Sequence, residues 1–250
     1  MADNETQRVI AMTPATSDLS RPVLHRNIEL YSLEAQRVAE RVLDRVGYSL
    51  FSIEVILQLI AEPDEIEEVE DIIKQDLEKS GNALSGECER LHKMMADAGI
   101  TKADIPTYTR PAKVEMEISS PLVVNYGQLL IQLDELIGFV DALWINSILS
   151  NKQKRQAKYQ WHRHLNKVSG RIIDIEGRTR RHAKAKGRND DVNKSAPARH
   201  QSQDDGEKAR DEESKGKGKD TGAPDDTEAK TPGAKAEKAP AQNQPETAAL

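Results

Sequence analysis

Past Lys184 this chain of 250 residues holds Val192 and Leu250 and no other Val, Ile, Leu, Met, Phe, Trp, Tyr or Cys. Such a stretch cannot bury enough apolar surface to offset the conformational entropy of ordering it. Any hydrophobic core must therefore be built from what precedes it. Residues 185–250, dominated by Lys, Asp, Glu, Gly, Pro and Ala, are expected to form a disordered charged tail. At the other end, "MADNETQRVIAMTPATSDLSRP" is polar, acidic and carries two prolines, so residues 1–22 read as a flexible leader rather than a secretory signal. No window approaches the ~18 continuous apolar residues of a membrane span. A soluble, cytoplasmic protein of bacterial type, with no membrane partner, is expected.

Between these ends, hydrophobic periodicity predicts a helical domain over residues 23–184. Ile28 and Leu30 alternate with Asn27, Glu29 and Tyr31, which suits a short strand with one buried face. Ser32 is placed to cap a following helix whose apolar side is Leu33, Val38, Val42, Leu43 and Val46, with Gly47 as its end. "SLFSIEVILQLIAE" reads as a second, largely buried helix stopped by Pro63. Ile66, Val69, Ile73, Leu77, Leu84, Cys88, Leu91 and Met95 then mark a long amphipathic helix with an acidic outer face, and Gly81 is where it could break. "KVEMEISSP" repeats the strand pattern, with Val114, Met116 and Ile118 on one side and Lys113, Glu115 and Glu117 on the other. Pro121 opens a helix reaching about Leu149. Two strand-then-helix units can form a two-stranded antiparallel ribbon, which needs helices to pack against. The fold class is mainly α with a minimal two-stranded ribbon.

Charge is distributed just as unevenly. The formal net charge is −6, yet residues 152–188 hold 13 Lys and Arg against two acids, Asp174 and Glu176, while residues 1–151 hold 13 against 26. This local excess is the footprint of a site for a polyanion. With Trp161 at zero and about 100° per residue, Leu165, Val168, Ile172 and Ile175 fall within about 40° of it and form a core-facing stripe. Arg163, Lys167, Arg171, Arg178 and Arg181 fall at about 200° to 280°, on the opposite side. Cations in that arrangement suit a phosphate backbone. A charge run on a helix is more commonly a solvated face, but here the excess is lopsided. Gly170 and Gly177 lie opposite the stripe, where they allow close approach or else weaken the helix near Gly177. "RTRRHAKAKGR" lacks a stripe and is expected to fray into a basic arm. Tyr159 and Trp161 could stack bases of RNA, although Trp161 is better explained as the anchor of the stripe.

Little in the chain points to chemistry. There is no Gly-rich phosphate loop. His162 and His164, two residues apart on a helix, point about 200° away from each other and cannot share one metal. The single cysteine, Cys88, lies on an apolar stripe and reads as a small buried hydrophobe. A non-enzymatic protein without cofactor or metal is expected.

Over "LLIQLDELIGFVDALWINSILSNKQKRQAKYQWHRHLNKVSGRI", the positions Leu133, Asp134, Leu136, Leu143 and Trp144, then Trp161, Leu165 and Arg171 after a short connection, resemble the AcaB-like family of conjugative plasmids and integrating conjugative elements. The resemblance spans roughly residues 25–182. It implies a cytoplasmic, dimeric, DNA-binding transcriptional regulator with a ribbon-helix-helix-like element, in which outward ribbon side chains enter the major groove. Arg26 and Asn27 of the first strand and Lys113 of the second would then approach the bases, although Glu115 and Glu117 beside Lys113 oppose it. The phosphate contacts are expected from Arg163, Lys167, Arg171, Arg178, Arg180 and Arg181, with double-stranded DNA as partner and a homodimer as the binding unit. The competing expectation is an assembly or scaffold protein of the conjugation machinery that applies its basic arm to an acidic protein.

Overall fold

A computed structural model describes residues 8–12 and 22–199. The chain runs β1 (Arg8–Ala11), β2 (Leu24–Leu30), α1 (Leu33–Val38), a π turn over Ala39–Leu43, α2 (Asp44–Ile60), α3 (Pro63–Asp97), β3 (Ala112–Ile118), α4 (Pro121–Ile145), α5 (Asn151–Ala185) and α6 (Asn189–Ser195). It is mainly helical, as its periodicity predicts.

The sheet has three strands rather than two, in the order β1-β3-β2. β2 pairs with β3 antiparallel, and β1 pairs with β3 in parallel, with Ile10 opposite Val114. β1 comes from the segment expected to be a flexible leader. Four residues with one inward side chain, Ile10, leave no period to detect, and the strand exists because β3 supplies its ladder. Its ends are fastened from the side: Arg8 forms an ion pair with Glu40, and the Met12 N–H donates to the Glu115 carbonyl.

Helix α4 is the hub, touching α1, α2, α3, α5 and two strands. Its sequence is apolar on nearly every side, which only a surrounded helix can be. Asp134 and Asp141 are nevertheless buried in it. Asp134 accepts the backbone N–H groups of Tyr31 (2.9 Å) and Ser32 (2.6 Å), fixing where β2 turns into α1. Ser32 caps α1 as expected, its hydroxyl accepting the Ala35 N–H. The buried Gln36 amide donates to the carbonyls of Leu30 and Arg110, tying the start of α1 to the approach to β3.

Two expected breaks are absent. The first helix does not stop at Gly47, because Val46, Leu50, Ile53 and Leu57 carry the apolar face onward and the π turn absorbs the change of phase. Gly47 is where Met12 packs onto α2, since a Cβ there would collide with the Met12 methyl group. α3 likewise runs unbroken through Gly81 for 35 residues. α5 is also 35 residues long, opened by a capping box of Ser150 and Gln153, and it passes through Gly170 and Gly177 without interruption.

The expected fraying of "RTRRHAKAKGR" does not occur. Ala183 is fully buried and packs with Ile56 of α2 and Val192 of α6. The chain therefore remains structured beyond the limit expected at residue 184, through α6 to residue 199. The remainder of the expected tail, and the other residues of the leader, lie outside the described residues. Among the described residues no helix is long and apolar enough to cross a membrane.

Candidate nucleic-acid interface

Of the 13 cations in residues 152–188, several are spent inside the molecule. Near the start of α5, Lys154 and Lys158 share Asp141 (3.1 and 2.9 Å), Lys158 also reaches Glu34 (3.2 Å), and Lys154 lies 3.2 Å from the centre of the Trp144 ring. Tyr108 donates its hydroxyl to Asp141, and burial together with that carboxylate pushes its ionisation up. The Leu143-Trp144 and Trp161-Leu165 positions of the sequence pattern are thus parts of the α4–α5 packing.

Farther along, α5 buries Leu165, Val168 and Ile172 as its apolar stripe predicts, but also Ser169, Glu176 and Thr179. Trp161 and Ile175 are only partly buried. Ser169 shares a 2.8 Å hydrogen bond with Tyr126 of α4. Glu176, 1% exposed, accepts from Ser49 (2.9 Å), Arg45 (2.6 Å) and Arg180 (2.8 Å). A carboxylate can be buried when it is paired and hydrogen-bonded in this way.

This network corrects the place expected for Arg180. Its guanidinium points inward, donating to Glu176, to Ser52 Oγ (2.7 Å) and to the Ala196 carbonyl (2.8 Å), and its side chain is only 18% exposed. Arg180 fastens the segment after α6 across α2. That segment is further held by the Tyr48 hydroxyl on the Pro197 carbonyl and by Arg199 over the Tyr48 ring and on Asp44.

Arg171 is on the outside but engaged, gripping Asp76 of α3 with two bonds of 2.7 and 2.8 Å. Beside it, His164 shares a 2.6 Å hydrogen bond with the buried Ser80 of α3. Burial, then the charge of Arg171, lowers the His164 pKa against an opposing pull from Asp76, with Lys167 adding a smaller push downward. The neutral ring therefore belongs to the α3–α5 contact.

Four of the expected cations remain, Arg163, Lys167, Arg178 and Arg181. All are exposed, and no ion pair holds any of them among the described residues. The closest polar partner is the Tyr159 hydroxyl, 3.5 Å from Arg163 Nη1. They occupy one side of a continuous helix across 18 residue steps, about 27 Å at 1.5 Å per residue. Lys152 is exposed on the same side one end along; the helical wheel that marks the others marks it too. A row of unpaired cations on a rigid rod is a surface for regularly spaced anionic charge.

The ribbon set does not assemble. In the β2–β3 register Arg26 stands opposite Met116, on the side of Ile28 and Leu30, whereas Asn27 stands opposite Glu115 and Lys113 opposite Glu29, on the other side. Lys113 is bound to Glu115 at 3.0 Å. That outward face presents Glu29, Glu115 and Glu117 around one lysine, so it would repel phosphate. Alternation along each strand decides this, since neighbours in sequence point to opposite faces.

Cys88 is half-buried, and burial, followed by Glu135, Glu87 and Glu89, pushes its thiol up to about 12. No group of His, Cys, Asp or Glu among the described residues could hold a metal.

No protein-family model matches the chain, and no curated protein does. Among solved structures it is similar to the crystal structure of selenomethionine-containing AcaB from uropathogenic E. coli, with 43% identity and a TM-score of 0.71, over 74% of this chain and 94% of that one.

Proposed function

The chain belongs to the AcaB-like family, and from that premise we propose that it is a DNA-binding transcriptional regulator of a conjugative plasmid or an integrating conjugative element, acting in the cytoplasm as a homodimer. One observation carries the reading: Arg163, Lys167, Arg178 and Arg181 stand exposed, without ion-pair partners among the described residues, along one side of α5. Double-stranded DNA presents a charge about every 1.7 Å, and neutralising it releases counterions whatever the sequence. α2, α4 and α6 hold the helix from behind, so little ordering is required on binding. The exposed face of β2, β3 and their acids plays no part in contact. A homodimer has a candidate seam in β2, which among the described residues pairs on one side only and would offer its other edge to a second copy.

The test is gel shift of the full chain on promoter DNA of the element and on random duplex of equal length, across a salt series. Four phosphate contacts give a slope of log K against log salt near −3.6 per chain, roughly −0.9 for each. Arg163→Glu, Lys167→Glu and Arg178→Glu together abolish binding with the melting temperature unchanged. Affinity indifferent to salt, or to this triple change, refutes the assignment of the face. Weak binding without preference for promoter DNA at physiological salt, together with capture of an acidic protein of the conjugation machinery, would favour the scaffold function instead.

A further inference from the structure

Away from α5, a cavity of about 380 Å³ opens between the loop that precedes β3 and the middle of α4. Ile105, Pro106 and Tyr108 of the loop line it, Phe139 and Gly138 of α4 face them, and Tyr31 closes the end where β2 meets α1. A Cβ on Gly138 would already touch the Ile105 side chain at 3.7 Å, so a longer side chain there would fill the space. The charge around this apolar hollow has one sign. Asp134 and Glu135 belong to the lining, and no Lys, Arg or His does. Asp134 is held by two neutral donors, the N–H groups of Tyr31 and Ser32, which leave its charge uncancelled. Glu135 is exposed, and among the described residues no hydrogen bond or ion pair holds it. The lysines beyond Tyr108, Lys154 and Lys158, are engaged by Asp141 and Glu34. Both tyrosines register the resulting field. The hydrogen bond to Glu29 and the charge of that carboxylate, then burial and Asp134, raise the ionisation of Tyr31. Burial, then Asp141, Asp134 and Glu34, raise that of Tyr108.

We propose that this cavity is a binding site for a small organic cation, an ammonium or guanidinium group carried on an aromatic or short aliphatic body. Its volume lies at the small end of the roughly 300–1,000 Å³ of ligand pockets, which are mostly apolar with a few polar groups that fix orientation. Ile105, Pro106 and Phe139 supply the apolar surface for the body. Three aromatic rings, Tyr31, Tyr108 and Phe139, with the two carboxylates beside them, supply what a desolvated cation needs, since a ring face and a carboxylate both attract positive charge. A neutral molecule of the same shape would cover Asp134 and give its charge no partner, and an anion would be repelled outright. Three separate segments bound the hollow, so it suits one compact molecule better than an extended chain. The site also reaches the framework of the protein. Asp134 fixes the turn from β2 into α1, so a cation resting on it tightens that turn. None of this depends on how α5 is used, and the site stands or falls apart from the DNA grip.

The experiment is titration of the full chain, by calorimetry and by amide NMR, with three probes of one shape: phenethylammonium, neutral 3-phenylpropanol and anionic 3-phenylpropionate. Phenethylammonium should bind with a Kd of roughly 0.1–1 mM, as a compact ligand of its size can. It should be preferred about tenfold over the alcohol, with no binding of the anion. The amide signals of Tyr31 and Ser32 should shift with the cation, because their acceptor is Asp134. Glu135→Gln, on an exposed side chain, should weaken the cation several-fold and leave the alcohol and the melting temperature unchanged. Phe139→Leu keeps an apolar wall without a ring and should bring the cation down to the affinity of the alcohol. Equal binding of cation and alcohol by wild type overturns the proposal, as does a Glu135→Gln protein that binds the cation like wild type, or Tyr31 and Ser32 signals that stay in place. A capped arginine amide that binds tenfold more tightly than phenethylammonium would overturn the small-molecule assignment in favour of an arginine side chain from a partner protein.

Discussion

Arg178 and Arg180, two residues apart in a run of basic residues, should fail in opposite ways when truncated. Arg180→Ala removes three well-formed hydrogen bonds, 2.7 to 2.8 Å long, to Ser52, Ala196 and the buried carboxylate of Glu176. Breaking a buried pair by removing one partner costs about 3–5 kcal/mol. Here Arg45 and Ser49 stay on Glu176 and keep its charge compensated. A loss of about 2–3 kcal/mol is therefore expected, a fall of roughly 5–10 °C in melting temperature for a domain of this size. Arg178→Ala removes nothing that the fold uses and should change stability by less than about 0.5 kcal/mol. It should instead reduce the salt slope of DNA binding by about one. The assay is urea unfolding followed by far-UV circular dichroism for both variants, beside a salt titration of their DNA binding for Arg178→Ala. An Arg180→Ala protein as stable as wild type would refute the clasp, and a destabilised Arg178→Ala protein would refute the division of α5 into an inner and an outer arginine.

Two other outcomes follow from the same geometry. Because the folded state lowers the His164 pKa, the unfolded chain binds the proton more readily, and stability declines as pH falls below the unfolded value of about 6.5. His164→Gln should lose less melting temperature than wild type between pH 7.5 and 5.5, and an equal loss would show that another group titrates. Truncation after Gly187 removes Val192 and Ala196, both buried, along with the Ala196 carbonyl that Arg180 binds. Limited proteolysis should then cut α2 or the end of α5 faster than in the full chain, and unaltered protection would mean that α6 contributes nothing to their packing.

The legible part of this molecule was periodic. α3, α4 and α5 announce themselves through apolar spacing, and α4 also through Pro121 at its start, and a long amphipathic pattern has few other ways to bury its stripe. β1 escaped because a four-residue strand with one inward side chain has no period, and α6 because a single Val192 carries its burial. Gly47 looked like an end because a glycine is weak in an isolated helix; its packing with Met12, 35 positions earlier, is a long-range fact.

The sequence alone thus determined that α5 would have a cationic side, since side-chain direction in a helix follows from spacing. Which cations remain there was decided by the tertiary structure. Asp76 and Asp141 come from separate stretches of the chain, and only packing brings them to Arg171 and to Lys154 and Lys158; Glu176 lies one turn from Arg180 on α5 itself, but only packing against α2 buries the pair and adds Arg45, Ser49 and Ser52 to it. A charge is free or bound according to its neighbours in space. What packing left exposed was Arg163, Lys167, Arg178 and Arg181, with Asp174 among them.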